Sequence, residues 1–131
     1  MDVIITGASR GIGRALALAL ARAHPEQRLI LVARDGARLN EVAHGIAGCG
    51  GTARVVSGDL STLSGARSLG HRLLEDAAPG ATLVHNAGLW PARRELNEEG
   101  LETAFVVNHL GPLALQQELL EHGRIARVMA V

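Results

Sequence analysis

The chain has 131 residues, in which thirteen arginines, with no lysine, balance thirteen acidic residues, so its formal net charge is zero. A chain of this length is expected to form one domain, residues 1–131, and its neutral charge argues against nucleic acid or an anionic membrane as a partner. The lone Cys49 excludes a disulfide within one chain. No apolar run approaches the roughly 18 to 20 residues of a membrane span, so a cytoplasmic location is the default expectation.

Apolar segments of strand length alternate along the chain with segments of helical length. The strand-like segments are residues 3–6, 29–33, 53–57, 82–85 and 127–131. The four expected helices run from the glycine-rich loop to before Pro25, from Asp35 to 48–51, from Ser61 to about Pro79, and from about Glu98 to Glu121. This alternation predicts an α/β, Rossmann-type three-layer fold, with about five parallel strands in the order 3-2-1-4-5 and helices on both faces.

The first strand-like segment leads into a glycine-rich loop, Thr6-Gly7-Ala8-Ser9-Arg10-Gly11-Ile12-Gly13. Gly7 suits the tight turn after the strand, Gly11 leaves room for the backbone to approach a pyrophosphate, and Gly13 allows the next helix to pack closely on the sheet. The N-terminus of that helix offers free N–H groups and the positive end of its dipole. The loop therefore indicates a dinucleotide site, the alternative being glycines that serve turns only.

Charge at the end of the second strand bears on which dinucleotide is bound. An acidic residue there would bind the ribose 2′-hydroxyl, whereas an arginine favours a 2′-phosphate. Arg34 occupies this place, and Arg10 in the glycine loop can share the phosphate. Asp35 fits a helix cap better than a ribose ligand. NADP is therefore favoured over NAD, with a solvated strand-end arginine as the alternative role for Arg34.

Three further motifs come later in the chain. Asp59-Leu60 follows the third strand-like segment, Asn86-Ala87-Gly88 follows the fourth, and Asn108-His109-Leu110-Gly111 lies in the fourth helix. Pro112, four residues after Asn108, has no N–H to donate to the Asn108 carbonyl, so this carbonyl is expected to be free. Alternatively, Pro112 only bends the helix around the core.

With its Gly-x-x-x-Gly-x-Gly spacing and these motifs, the chain resembles the short-chain dehydrogenase/reductase family, and residues 88–111 look most like the retinol-dehydrogenase-like branch. The resemblance implies that Asp59 contacts the adenine and that Asn86-Ala87-Gly88 stabilises the sheet and borders the nucleotide. It also implies that Asn108 is the catalytic asparagine whose carbonyl holds a water in a proton relay. The candidate nucleotide-binding residues are Gly7, Ser9, Arg10, Gly11, Ile12, Gly13, Arg34, Asp59, Leu60, Asn86, Ala87 and Gly88.

The family's remaining catalytic groups, a Ser and a Tyr-x-x-x-Lys pair, lie beyond the fifth strand, and this chain contains neither Tyr nor Lys. The resemblance thus implies the cofactor-binding half of an NADP-dependent carbonyl reductase or alcohol dehydrogenase, expected to bind nucleotide without efficient hydride transfer. A non-catalytic nucleotide-binding or interaction module and a truncated inactive product are the alternatives.

Two expectations concern other partners. The fifth strand should present an exposed apolar edge beside the fourth helix, and pairing there with a second copy or a complementing chain is expected. The six histidines lack the spacing and the cysteine partners of a metal site, so no metal site is expected.

Overall fold

The computed structural model describes residues 1–131, and its five parallel strands form one sheet in the order β3-β2-β1-β4-β5. The strands are β1 (Asp2–Thr6), β2 (Arg28–Ala33), β3 (Thr52–Ser57), β4 (Ala81–His85) and β5 (Ile125–Ala130). The helices are α1 (Gly11–Ala23), α2 (Gly36–Gly48), α3 (Leu63–Asp76), α4 (Thr103–Phe105) and α5 (Gly111–Glu121), with a π-helical turn, Val106–Leu110, between the last two. The predicted fold class and strand order are confirmed, and each predicted strand boundary lies within two residues of the observed one.

The sheet is covered on both faces, as its continuous apolar strands require. Side chains of the central strand alternate between two cores, because successive residues of a strand point to opposite faces. Ile4 packs with residues of α3 and α5, whereas Ile5 packs with residues of α1 and α2. Every residue of β1 is buried. The carboxyl end of β1 is therefore held at the centre of the molecule.

The fourth predicted helix begins later than expected, at Thr103 instead of about Glu98. The Asn97 side-chain oxygen accepts hydrogen bonds from the backbone N–H groups of Glu99 (2.9 Å) and Leu101 (3.0 Å), and Gly100 has a φ of +76°. Side-chain bonds of this kind compete with helical ones. The predicted start was wrong because Asn97 closes a turn there.

The middle of the fourth helix is π-helical instead of α-helical. Gly111 donates its N–H to the carbonyl of Val106, five residues earlier. Pro112 follows directly, at the start of α5, and leaves the Asn108 carbonyl without the donor that a regular helix would supply. The π-helical turn itself was not predicted, and the free Asn108 carbonyl stays a prediction.

The outer edge of the sheet at β5 is exposed, as predicted. β5 pairs with β4 alone, and only Ile125 among its residues is buried. Val128 and Met129 are exposed, and so are Leu113 and Leu120 of α5. Association through this surface stays a prediction.

A polar cluster ties the start of β1 to β2 and to the end of α3. Asp2 is buried, and its carboxylate accepts hydrogen bonds from Arg28 Nε at 3.0 Å and from the Ala78 N–H at 2.8 Å. Arg28 also donates to the carbonyl of Asp76, at 2.6 Å. The hydrogen bond from Arg28 holds the pKa of the Asp2 carboxyl below its usual value, although burial opposes it.

Asp2→Asn should lower the free energy of unfolding at pH 7 by about 1–3 kcal/mol, because the donors around Asp2 lose a charged acceptor. A depressed folded pKa stabilises the fold above the unfolded pKa, about 3.9, and this contribution disappears as pH falls through the folded pKa. The difference in the free energy of unfolding between wild type and variant, measured by urea denaturation, should therefore become smaller below about pH 4.

Arg54→Gln is the matched control, since it removes the more exposed Arg54–Asp76 pair and should cost less than about 1 kcal/mol. If the difference in the free energy of unfolding between wild type and Asp2→Asn stayed constant down to about pH 2, the assigned pKa shift would be contradicted.

Candidate nucleotide site

The carboxyl ends of β1 and β4 are joined by hydrogen bonds that centre on Thr6 and Asn86. The Thr6 hydroxyl accepts from the backbone N–H groups of Asn86 and Ala87, each at 3.0 Å, and donates to the carbonyl of Val84 at 3.3 Å. The Asn86 side-chain amide donates to the carbonyls of Thr6 (3.1 Å) and Gly7 (3.2 Å). These bonds fix the start of the glycine loop against the segment that follows β4.

The three loop glycines have different surroundings. Gly7 has a φ of +67°, and a Cβ there would lie 2.9 Å from Ala87 Cα. A Cβ on Gly13 would collide with the Gly7 carbonyl oxygen and the Asn86 amide nitrogen. Gly11 also has a positive φ, +56°, but a Cβ there would meet no atom within 4 Å. Gly7 and Gly13 thus serve close packing, whereas Gly11 faces open space.

The N-terminus of α1 lacks the capping that α2 and α3 possess. Asp35 accepts from the Arg38 N–H at the start of α2, and Thr62 accepts from the Gly65 N–H at the start of α3. Arg10, at the corresponding position of α1, makes no side-chain cap, and the first turn of α1 contains no acidic residue. The first N–H groups of α1 therefore keep the capacity to bind an anion.

A cleft of about 800 Å³ opens at the carboxyl ends of the central strands. Eleven of the predicted residues line it: Gly7, Ser9, Arg10, Gly11, Ile12, Arg34, Asp59, Leu60, Asn86, Ala87 and Gly88. Segments that are far apart in the sequence therefore meet in one cavity, whose size suits a small-molecule ligand. Its position is also typical, because α/β sheets bind ligands where the strand order reverses, here between β1 and β4.

The remaining two predicted residues do not line this cleft. Gly13 lies behind it, packed against Gly7 and Asn86. Asn108 borders an adjoining recess of about 420 Å³, together with Trp90 and Val131. Its side chain is tied to the backbone of Leu89, accepting from the N–H at 2.7 Å and donating to the carbonyl at 2.8 Å. The Asn108 side chain thus positions the segment after Gly88.

The charged groups in the cleft include one that sequence reasoning missed. Arg38 lines the cleft with Arg10 and Arg34, and its Nε lies 3.4 Å from an Asp35 carboxylate oxygen. Asp35 caps α2, as the sequence predicted. The three-residue spacing of Asp35 and Arg38 on a helix was the signal that could have revealed the pair.

Other cleft residues also escaped prediction. They belong to the strand ends and turns and to the loop and helix after β4: Thr6, Val32, Ala33, Gly58, Ser61, Leu89, Thr103 and Val107. Their place follows from the tertiary arrangement, not from local sequence.

His85, the last residue of β4, adds no charge near the cleft. Its Nε2 lies 3.1 Å from the side-chain oxygen of Gln116. Burial lowers the pKa of the His85 imidazole, although the hydrogen bond from its ring to the side-chain oxygen of Gln116 opposes this shift. The ring is therefore neutral at pH 7.

A helix that spans a membrane needs about 20 consecutive, mostly apolar residues. No helix combines the length and the apolar character that crossing a bilayer demands.

Known proteins share both this sequence pattern and this architecture. Retinol dehydrogenase 14 of Mus musculus is 35% identical over 130 residues, an alignment that covers 90% of this chain and 38% of that protein. A short-chain dehydrogenase from Sphingobium yanoikuyae, solved in complex with NADPH, is 30% identical with a TM-score of 0.78, covering 98% of this chain and 52% of its own. An alcohol dehydrogenase from the archaeon Thermococcus sibiricus, complexed with 5-hydroxy-NADP, is 34% identical with a TM-score of 0.74. This match covers 92% of the present chain and 52% of the archaeal one.

The chain therefore spans 38% of the retinol dehydrogenase and about half of each solved protein. The family model for the short chain dehydrogenases matches residues 2–130, which is nearly the whole chain. With the strand order and the glycine loop also in place, this chain belongs to the short-chain dehydrogenase family.

Proposed function

We propose that this chain binds NADP(H) in the cleft and forms the cofactor-binding part of a carbonyl reductase or alcohol dehydrogenase. One observation carries the proposal: the uncapped N-terminus of α1, the open face of Gly11 and the arginines Arg10 and Arg34 meet at one cavity. The two solved relatives in complex with NADPH and 5-hydroxy-NADP support it. The bound nucleotide supplies the hydride chemistry, and the protein supplies binding and orientation.

The pyrophosphate would lie at the N-terminus of α1. Gly11 leaves space for the approach of the phosphates, since a side chain there would occupy the opening. The free N–H groups of the first turn can donate to phosphate oxygens, and the helix dipole favours their negative charge. Ser9 and Ile12 also line the cleft.

The 2′-phosphate would lie between Arg34 and Arg10. Guanidinium groups bind phosphate oxygens through paired hydrogen bonds, which an ammonium cannot reproduce. Asp35, which follows Arg34 in the chain and lines the same cleft, is engaged with the N-terminus of α2 and with Arg38. Its carboxylate is therefore partly neutralised, which lowers the repulsion of a phosphate.

The two ends of the nucleotide would be held by the loops after β3 and β4. We assign the adenine to Asp59 and Leu60, and the nicotinamide side to Asn86, Ala87 and Gly88. Asn108 lies beside this second group, and its backbone carbonyl, to which Pro112 cannot donate an N–H, would accept a hydrogen bond from a water molecule. The tie between the Asn108 side chain and Leu89 would hold this carbonyl at the nicotinamide side.

The first test is a calorimetric titration with NADPH and NADH. Wild type should prefer NADPH, and Arg34→Gln should weaken NADPH binding about tenfold while changing NADH binding less than about twofold, because only NADPH carries the 2′-phosphate. Arg22→Gln, an exposed change on α1 outside the cleft, is the control. Saturable binding of neither nucleotide to the folded chain would overturn the proposal.

Gly11→Ala tests the pyrophosphate position. The added methyl should weaken NADPH binding by about tenfold or more, because it stands where the phosphates approach. Gly80→Ala is a matched control: Gly80 has a φ of +86° and equally open surroundings, but it lies in the turn before β4. Both variants should lose about 1–2 kcal/mol of stability from left-handed backbone strain. Equal NADPH affinities of the two variants would contradict the assignment.

We propose further that the 131-residue chain alone does not carry out efficient hydride transfer. It contains no Tyr and no Lys, so it lacks a phenol with a neighbouring ammonium to protonate a carbonyl oxygen. The exposed apolar side chains of β5 and α5 favour a second candidate function, a nucleotide-binding or interaction module. A complementing chain or a second copy would cover the exposed β5 edge, and sedimentation at several protein concentrations tests for self-association.

The purified chain should oxidise NADPH with aldehydes or ketones at no more than the background rate while still binding NADPH. A spectrophotometric assay at 340 nm, a wavelength set by reduced nicotinamide, checks this with protein whose NADPH binding has been established. Robust turnover would contradict the proposal of inactivity and would also count against the interaction module.

A further inference from the structure

The loop that joins β4 to α4, residues 86–102, contacts the cleft at both of its ends. Gly88 and Leu89 line the cleft at one end, and Thr103 lines it directly after the other. Between them the loop folds back on itself, with a bridge between Leu96 and Glu102. Residues at both ends of the loop therefore contribute to the lining of the cavity.

The tip of this loop is attached to the N-terminus of α3. The Glu99 carboxylate accepts from the backbone N–H groups of Leu63 at 2.6 Å and of Ser64 at 3.1 Å. The Asn97 side-chain amide donates to the carbonyl of Ser61 at 2.9 Å. Thr62 already caps the third N–H of this helix. Glu99 thus accepts from the first two N–H groups of α3, which Thr62 does not cap. The helix dipole also favours the negative charge of Glu99 at this position.

The segment that these bonds hold is the turn between β3 and α3, residues 59–61, all of which line the cleft. Within this turn, one oxygen of the Asp59 carboxylate accepts from the Ser61 N–H at 2.9 Å. Two helices also press closely against it: a Cβ on Gly65 would lie 2.5 Å from the Asp59 carbonyl oxygen, and one on Gly111 would lie 2.6 Å from that of Leu60. The turn is therefore in close contact with glycines of two helices, and the loop is hydrogen-bonded to it through Asn97.

From these contacts we propose that Glu99 is a positioning residue for the adenine end of the nucleotide. It holds the N-terminus of α3 and, with Asn97, the turn that carries Asp59, so that the free Asp59 carboxylate oxygen is directed at the exocyclic amino group of the base. Glu99 itself does not touch the nucleotide. This inference rests on the proposed function, because it takes the cleft to hold an adenine dinucleotide.

The test compares NADPH with its reduced hypoxanthine analogue, in which a carbonyl oxygen replaces the adenine amino group. A carboxylate accepts a hydrogen bond from the amino group and repels the carbonyl oxygen, so wild type should bind NADPH about tenfold more tightly than the analogue. In Glu99→Ala this preference should fall to about twofold or less. Glu98→Ala, which removes a neighbouring exposed carboxylate, should keep the wild-type preference.

Two further variants separate positioning from a general loss of structure. Glu99→Gln retains an oxygen acceptor for α3 and should restore part of the base preference. Asp59→Ala should abolish the preference by itself, and adding Glu99→Ala should then change it no further. Urea denaturation of each variant establishes that the compared proteins are folded.

Each other outcome overturns the inference. A Glu99→Ala variant that retains the wild-type preference shows that the loop does not position Asp59. Equal weakening of both nucleotides shows that Glu99 acts on the cleft as a whole and not on the base. Failure of the folded wild type to bind either nucleotide refutes the proposed function together with this inference, whereas the first two results leave the proposed function intact.

Discussion

The cleft depends on the contact between the glycine loop and the segment after β4. Thr6 and Asn86 form this contact, since a single hydroxyl accepts two backbone N–H groups and a single amide donates to two carbonyls. β1 and β4 are adjacent in the sheet, but Thr6 and Ala81 are 75 positions apart in the sequence, so no local interaction could align the ends of these two strands. Gly7 and Gly13 make the contact possible, because any side chain there would push α1 away from Asn86.

The helices around the cleft differ in how their N-terminal charge is balanced. α2 has Asp35, and α3 has Thr62 together with Glu99, whereas α1 has no acidic or capping side chain. The unbalanced positive end therefore lies where the loop also leaves open space, and the guanidinium groups of Arg10 and Arg34 add to it. Although the chain carries no net charge, one region of its surface is suited to a polyanionic ligand.

Most of the fold could be predicted from the sequence, because apolar segments of two lengths alternate and Pro25, Asp35 and the glycines mark the helix ends. Glycine spacing and charge after the first two strands predicted six of the cleft residues, whereas Asp59, Leu60, Asn86, Ala87 and Gly88 were predicted from the resemblance to the family. The start of the fourth helix could not be predicted, because Asn97 binds its own backbone and Glu99 binds a helix 35 residues earlier in the chain. Thr103 was missed because only tertiary packing brings it to the cavity, whereas the spacing of Arg38 from Asp35 was a local signal.

The π-helical turn Val106–Leu110 divides the fourth predicted helix into two parts, α4 and α5, whose side chains are rotated relative to each other. One additional residue in a helix rotates everything beyond it by about 100° relative to an uninterrupted α-helix. On one side of the turn Thr103 lines the cleft, and on the other Leu115 and Leu119 are buried in the core against α3. Because of this turn, no single helical phase has to satisfy both requirements. A one-residue deletion in the turn would therefore bring the lining of the cavity and the packing of the core into conflict.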